Sequence, residues 1–256
     1  MAYTTINKSS DYFNTVLYTG SNTSGTGTVT GVGFQPDWVW GKIRSTTGQH
    51  NLYDSVRGVG KRLISNSTDA EETNAAYGYL SAFDSDGFTT SAGSTNNENF
   101  NTTSATYASW NWKAGGGQGS SNTDGSINTT YTSVNTTAGF SISTYEGTGS
   151  AATVGHGLGV TPAMVLVKNI DAAQNWLMYH QDIGATKYLR LNLTNGQGTS
   201  SGPWNNTAPT SSVFYIGADG AVTGNGQTHV AYCFAEKTGY SKFGSFTGWA
   251  ICLYRI

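Results

Sequence analysis

The sequence predicts an all-β protein built from two tandem, duplicated β-sandwich repeats of a jelly-roll or lectin-like kind, with almost no helix. Three observations predict this class: the composition, a series of short strand-like runs and an internal repeat. Charged residues make up only 11% of the 256 residues, and aromatic residues make up 12%. Gly, Ser, Thr and Asn account for nearly half of the chain. The composition is low in the Glu, Lys and Leu of long helices, and the aromatic content argues against disorder.

The charge and the apolar runs argue against two classes of partner. A net charge of -2 lacks the basic excess that electrostatic binding to nucleic acid needs. No apolar run approaches the roughly 18 residues of a membrane-spanning helix. Residues 1–10 lack the basic and apolar regions of a signal peptide. We therefore expect no nucleic-acid partner, no membrane insertion and synthesis in a cytoplasm. The two cysteines, Cys233 and Cys252, are too few for a disulfide framework.

An internal repeat spans most of the chain. A shift of 126 residues, the distance from Pro36 to Pro162, also aligns Tyr53 with Tyr179. The matches continue without a gap from Gly33 to Phe88, and they include Tyr as well as Pro and Lys, which are rare in this sequence. Further along the chain the register changes, and an offset of 123 aligns residues 108–112 with residues 231–235.

The repeat divides the chain into four predicted segments. They are a first β-sandwich repeat (1–114), a linker rich in Gly, Ser, Thr and Asn (115–138), a second repeat (139–243) and an apolar C-terminal strand that begins a third repeat (244–256). The linker composition predicts a flexible or solvent-exposed segment. An apolar strand at a terminus is an aggregation hazard. We therefore expect Trp249–Ile256 to pair with a sheet edge of its own chain or of a neighbouring protomer.

Short runs of β-branched and aromatic residues, bounded by Gly, Asn, Asp or Pro, predict the strands of the second repeat. They are Phe140–Tyr145, Ala163–Lys168, Trp176–His180, Tyr188–Leu193, Val213–Ile216 and Val230–Ala235. Residues 164–167 are apolar throughout, which predicts a central strand covered on both faces. The one helix candidate is the capping-box pattern from Thr68 to Glu71.

The motifs that could carry catalysis or metal binding have simpler interpretations. Asp84 and Asp86 precede Gly87 and Phe88, a spacing more typical of a turn than of half a calcium loop. Gly198–Gly202 matches the nucleophile-elbow pattern, but in a Gly- and Ser-rich loop without a strand-turn-helix context. The four histidines show no metal-ligand spacing. We therefore expect no catalytic residues, no metal and no cofactor.

Several aromatic and charged residues are candidates for binding. Aromatic faces stack on sugar rings, and Asn supplies hydrogen bonds, so a tryptophan in a polar loop suits glycan binding. Trp204 lies in such a loop, and Trp204, Asn205 and Asn206 are the predicted ligand-binding residues. Trp110 and Trp112 are expected in the core, because the offset of 123 aligns them with the apolar positions 233 and 235. Within residues 54–58, an Asp54–Arg57 pair that holds a loop is favoured over a ligand site.

Several stretches resemble the repeated β-rich domain of structural proteins from marine tailed bacteriophages. They are Gly33–Trp40, Asp54–Gly58, Phe83–Phe88, Ala108–Gly115, Asn122–Ser126 and Tyr232–Lys237. The resemblance covers Ala2 to Gly248. It implies a virion component of the tail-fibre kind, and it carries no established catalytic or binding residues. The chain departs from a complete fibre in having no coiled-coil or collagen-like shaft.

The residues and the resemblance together predict a non-enzymatic virion protein of a tailed phage. We expect a tail-fibre or host-attachment module that contacts surface glycan, with tail or capsid proteins as partners and with homo-oligomerisation. One alternative is a capsid decoration or head-fibre protein. A second is a polysaccharide depolymerase, which needs a pair of carboxylates that the sequence does not identify.

Overall fold

The structure is a computed structural model that describes residues 4–246, and it has an all-β sandwich fold. The predicted pairing of Trp249–Ile256 lies outside the described residues. The strands of the first half are β1 (Phe13–Thr19), β2 (Gly27–Val29), β3 (Trp38–Ile43), β4 (His50–Asp54), β5 (Lys61–Ile64), β6 (Glu72–Thr73), β7 (Tyr79–Asp84), β8 (Gly87–Ser91) and β9 (Thr106–Trp112). They form a six-stranded sheet in the order β1-β9-β3-β4-β5-β6 and a three-stranded sheet in the order β2-β8-β7.

In the part of the chain that the structure describes, the second half contains the other nine strands and two short α-helices. They are β10 (Tyr131–Asn135), β11 (Phe140–Glu146), β12 (Ala152–Gly155), β13 (Met164–Asn169), β14 (Leu177–His180), β15 (Lys187–Arg190), β16 (Gly198–Thr199), α1 (Ser201–Trp204), β17 (Val213–Ile216), α2 (Gly220–Thr223) and β18 (Thr228–Phe234). A seven-stranded sheet has the order β10-β11-β18-β13-β14-β15-β16, and β12 pairs with β17. The strand pairs are antiparallel. In residues 4–246, no helix is long and apolar enough to cross a membrane.

The strands predicted for the second half are all present, with ends that differ by a few residues. The largest difference is in β15, which ends at Arg190 because a turn follows, in which the Leu193 N–H donates to the Arg190 carbonyl. Residues 164–167 lie in β13, which has β18 on one side and β14 on the other. Val165 and Val167 pack into one core and Leu166 into another, so the prediction of a strand covered on both faces is confirmed.

The two large sheets share one strand order. In the first, β1-β9-β3-β4-β5-β6 corresponds to β11-β18-β13-β14-β15-β16 in the second, and the pair β2-β8 corresponds to β12-β17. The duplication that the sequence predicts agrees with this order and stays a prediction.

The strand register changes one part of the predicted alignment. Trp38 lies opposite Trp112, and the corresponding Met164 lies opposite Phe234. Trp112 therefore corresponds to Phe234, one position away from the predicted partner, Ala235. Because a one-residue slip exchanges the two faces of a strand, this correction matches Trp110 and Trp112 with aromatic residues instead of small ones.

Four β layers stack to give three cores. The three-stranded sheet covers one face of the six-stranded sheet, with Val39 and Tyr53 against Leu80 and Phe88. The two large sheets pack against each other through their other faces, and this core includes Trp38, Leu52, Phe140, Leu166 and Tyr232. The strands β12 and β17 cover the outer face of the seven-stranded sheet. The two halves are therefore joined by a shared core.

Residues 115–138 differ from the predicted flexible linker, because the second half of this segment is part of a sheet. Strand β10 pairs with β11 along its whole length. At the start of the segment, the buried Asp37 carboxylate accepts hydrogen bonds from the N–H groups of Ala114, Gly116 and Gly117, at 2.6, 3.0 and 2.8 Å. A carboxylate that accepts several backbone N–H groups holds a glycine-rich turn that has no apolar side chains of its own.

The predicted helix at Thr68–Glu71 is wrong. The chain has no helix at these residues, and the two-residue strand β6 begins at Glu72. Instead of capping a helix, the Glu71 carboxylate contacts Arg57 at 2.9 Å and Lys61 at 3.1 Å. A tertiary ion pair thus replaces the local hydrogen bonds that the capping box requires.

Candidate functional site

An aromatic groove opens between the two large sheets, next to the start of β1. Its volume is about 440 Å³, within the usual range for ligand pockets. The side chains and backbone that line it are those of Ser9, Tyr12, Phe13, Trp38, Trp40, Trp112, Ala138, Gly139, Phe140, Met164, Leu166, Phe234, Ala235, Tyr240, Ser241 and Phe243. We call this site the aromatic groove.

Strand register places tryptophans side by side on the first wall. Trp38 of β3 lies opposite Trp112 of β9, and Trp40 lies opposite Trp110. Because alternate residues of a strand point to the same face, all four indoles project toward the seven-stranded sheet. The ring centroids of Trp38 and Trp112 are 4.5 Å apart. Trp38 is 1% exposed, whereas Trp40, Trp110 and Trp112 are half-buried and leave part of their rings accessible.

The second wall comes from the seven-stranded sheet. Phe140 of β11 lies opposite Phe234 of β18, with ring centroids 4.8 Å apart. The Trp38 ring stacks on Tyr232, at 4.5 Å and an angle of 21° between the planes. These buried rings fix the base of the aromatic groove, because each is held by neighbours in both sheets.

A turn after β18 forms the rim. The Lys237 and Ser241 backbones form a bridge, and the Tyr240 ring meets Tyr12 edge-on at 6.3 Å. Burial raises the pKa of Tyr240 to about 12. Its neutral hydroxyl can both donate and accept a hydrogen bond. The Glu236 carboxylate next to this turn accepts from Lys242 Nζ at 2.8 Å and from the Phe243 N–H at 3.1 Å. These hydrogen bonds lower the pKa of Glu236.

The Trp40 indole is held in place by a histidine on the neighbouring strand. Its Nε1–H donates to His50 Nδ1 at 3.3 Å. Burial and the nearby Lys42 ammonium lower the pKa of His50, which favours the neutral ring that can accept this bond. The face of the Trp40 ring is therefore oriented before any ligand is present.

The chemistry of the aromatic groove is suited to binding. Among the described residues, its lining consists of aromatic, aliphatic and hydroxyl side chains, and it includes no carboxylate, imidazole or amine. A serine hydroxyl becomes an effective nucleophile when such a group within reach activates it. The aromatic groove instead offers flat apolar rings with hydroxyl groups at the rim.

The structure places the predicted ligand-binding residues away from the aromatic groove. Trp204 is 2% exposed and belongs to the core of the outer sandwich, so its predicted exposure is wrong. The short helix α1, capped by the Ser200 hydroxyl, turns the indole inward against the edge of the Tyr179 ring at 6.1 Å. Asn205 and Asn206 are exposed and follow α1 with left-handed backbone. Ligand binding by these two residues stays a prediction.

The other motifs have structural roles. The predicted Asp54–Arg57 pair is confirmed, with Arg57 Nε 2.6 Å from Asp54 Oδ2. The Asp84–Gly87 turn joins β7 to β8, and the Asp86 carboxylate accepts from the N–H groups of Gly31 and Gly33. Residues 198–202 span β16 and the start of α1, where Ser200 is a helix cap. No group of three potential metal ligands occurs within residues 4–246.

The residues that form the aromatic groove carried a signal in the sequence. Both Trp38–Trp40 and Trp110–Trp112 have the pattern of two tryptophans separated by one residue, which places both rings on one face of a strand. The predicted alignment matches Trp110 and Trp112 with small buried residues, and it therefore predicts core positions for them instead of a binding surface.

Comparison with known proteins gives a family for this fold. A family model described as a domain of unknown function (DUF7483) matches residues 8–251, so the chain belongs to this family. No curated protein matches the chain. No solved structure matches it.

Proposed function

We propose that this protein is a non-enzymatic attachment module of a tailed-phage virion, of the tail-fibre kind, which contacts surface glycan through the aromatic groove. The aromatic groove is the observation that carries the binding part of the proposal. The virion part is supported by the resemblance of the motifs between Gly33 and Lys237 to phage structural domains.

The groove lining matches the two faces of a sugar ring. The C–H face of a pyranose is apolar and packs on an aromatic ring, whereas its hydroxyl groups need hydrogen-bond partners. The half-buried rings of Trp40 and Trp112 supply the first surface. The hydroxyl groups of Ser9 and Tyr240 supply donors and acceptors at the rim. Because no charged side chain of the described residues lines the aromatic groove, it fits a neutral saccharide.

Glycan-array binding by the full chain, presented multivalently, tests the binding part. We expect binding to neutral glycans that falls at least tenfold in Trp40→Ala and in Tyr240→Ser. The matched control is Tyr77→Ser, which removes an exposed aromatic side chain that does not line the aromatic groove. Thermal melting checks that each variant folds. Equal losses in Tyr240→Ser and Tyr77→Ser, or a blank array at high avidity, would count against the proposal.

The number of copies per virion tests the proposal that the protein is a tail component. Quantitative mass spectrometry of purified particles, normalised to the major capsid protein, is expected to give a few to some tens of copies for a tail component. Hundreds of copies would instead support the capsid-decoration alternative. Absence from the particles would overturn the virion role and leave glycan binding to be judged separately.

A further inference from the structure

The outer edge of β1 is open among the described residues. The six-stranded sheet begins at β1, and within residues 4–246 β9 is the one strand that pairs with it. β1 is seven residues long and contains no proline and no charged residue, and its pairing with β9 has no bulge. Natural sheets usually protect an edge with charges, prolines, bulges or short strands. β1 has none of these protections.

The ladder with β9 shows which backbone groups face the open side. At one end, the Lys113 N–H donates to the Tyr12 carbonyl at 2.9 Å, and at the other the Gly20 N–H donates to the Ala105 carbonyl at 2.8 Å. Even-numbered residues of β1 therefore bond to β9. Because successive residues of a strand point their backbone groups to opposite sides, the odd-numbered ones face outward.

Four residues thus present both a donor and an acceptor along the open edge. They are Phe13, Thr15, Leu17 and Thr19. The Thr15 N–H agrees with this assignment, because its hydrogen bond goes to the neighbouring Asn14 Oδ1 at 3.0 Å and not to β9. The corresponding edge in the second half is not open. There, β10 pairs with β11 over five residues.

We propose that β1 pairs with β1 of a second copy of this chain, antiparallel and about a two-fold axis at Val16. This register places outward-facing residues opposite each other, so Phe13 meets Thr19 of the partner subunit and Thr15 meets Leu17 of the partner subunit. Residues that face each other in this way exchange two hydrogen bonds in an antiparallel ladder. All four outward-facing residues are then paired, and the two six-stranded sheets become one continuous sheet.

The side chains of β1 suit pairing with themselves. Leu17 is 62% exposed in the single chain. In the proposed register the two copies of Leu17 become diagonal neighbours on one face of the sheet, within contact distance for long side chains. β1 carries no charge, so like charges do not meet. A closed two-fold interface of this kind is the commonest in homo-oligomers.

The arrangement also has a consequence that rests on the proposed function. Residues opposite each other in a sheet point to the same face, so both copies would present their aromatic grooves on one side of the joined sheet. Two linked sites raise the avidity for a repeating glycan without any new contact.

Sedimentation analysis of the full chain without saccharide tests the pairing separately from glycan binding. We expect a dimer at micromolar concentration, and monomers for Leu17→Lys, which brings charges together, and for Thr15→Pro, which removes an outward N–H. Leu193→Lys is the matched control, because Leu193 is 44% exposed and lies outside the strands. The control is expected to remain a dimer. A monomeric wild type, or dissociation of the control alone, would overturn the proposal.

Two further measurements distinguish pairing between two copies of β1 from misfolding of the variants and from pairing of the β1 edge with another segment. Val16→Cys is expected to form a disulfide-linked dimer under mild oxidation, because residues on the two-fold axis face each other closely, and Leu193→Cys is expected to form none. Hydrogen exchange then identifies what covers the Leu17 and Thr19 amides. Protection that persists in a monomer and is lost when residues 247–256 are deleted would assign the edge to the chain itself and overturn the dimer.

Discussion

At the scale of single residues, a buried ion pair joins the two halves of the molecule. Arg57 contacts Asp54 at 2.6 Å and Glu71 at 2.9 Å, and the Tyr232 hydroxyl from the second half donates to Asp54 Oδ2 at 2.6 Å. Burial by itself lowers the pKa of Arg57, but Asp54, Tyr232 and Glu71 together outweigh that effect, so the pKa is raised and the guanidinium stays charged. Each charge in this network depends on the others for its solvation.

Removing one charge from this network is expected to be costly. Because Arg57→Ala leaves the buried Asp54 carboxylate without its cation, we expect it to lower the free energy of unfolding by about 3–5 kcal/mol. Lys8→Ala, which breaks an exposed pair with Asp11, is expected to cost less than about 1 kcal/mol. Urea denaturation measures both. Similar losses in the two variants would contradict the assignment of Arg57 to a buried network.

A buried histidine makes stability depend on pH. His156 Nδ1 accepts from the Leu158 N–H at 3.1 Å, and Nε2 lies 3.2 Å from the Thr210 carbonyl, so the neutral ring satisfies both contacts. Burial lowers the pKa of His156. As the pH falls through about 6.5, His156 therefore becomes protonated in the unfolded chain while it stays neutral in the folded chain.

The sign of the effect follows from this difference in protonation. Stability is fully present above about pH 6.5 and decreases as the pH falls toward the lowered folded pKa, by at most about 1.4 kcal/mol per pH unit for this group. Urea denaturation between pH 7.5 and 5.5 measures it. We expect a shallower dependence in His156→Gln than in the wild type. An unchanged slope in His156→Gln would contradict the explanation.

At the scale of secondary structure, the sequence predicts strands better than it predicts their surroundings. The predicted strand Val213–Ile216 is found with the same bounds, because its β-branched and aromatic run is bounded by local turn residues. The predicted exposure of Trp204 is wrong because its packing partners, such as Tyr179, are distant in sequence. The predicted helix at Thr68–Glu71 is wrong because Glu71 pairs with Arg57 and does not cap a helix terminus. The aromatic groove depends on register between strands, which composition alone does not reveal.

The Asp37 carboxylate fixes the segment between the halves. Asp37→Ala leaves the N–H groups of Ala114, Gly116 and Gly117 without their acceptor. Because such charge-assisted bonds contribute about 1.5–3 kcal/mol each, we expect a loss of several kcal/mol and faster hydrogen exchange at residues 114–119. Asp124→Ala is the control, since Asp124 is exposed and accepts from the neighbouring Asn122 side chain. Unchanged exchange in Asp37→Ala would show that β10 alone holds the segment.

At the scale of the whole molecule, the two halves share a core instead of lying apart as separate domains. The Trp176 indole N–H donates to the Ile64 carbonyl of the other half at 2.9 Å, and both Trp176 and Trp38 are buried between the large sheets. We therefore expect one cooperative unfolding transition, measured by calorimetry and by tryptophan fluorescence. Two resolved transitions would contradict a shared core.

The central claim is that the aromatic groove binds a neutral saccharide. The indole N–H signals in the NMR spectrum of ¹⁵N-tryptophan-labelled protein test it most directly. On titration with a neutral oligosaccharide, we expect the signals of Trp40 and Trp112 to shift, because their rings line the groove. The signals of the buried Trp176 and Trp204 are expected to stay in place. Shifts confined to Trp204, or no shift at saturating saccharide, would contradict the account.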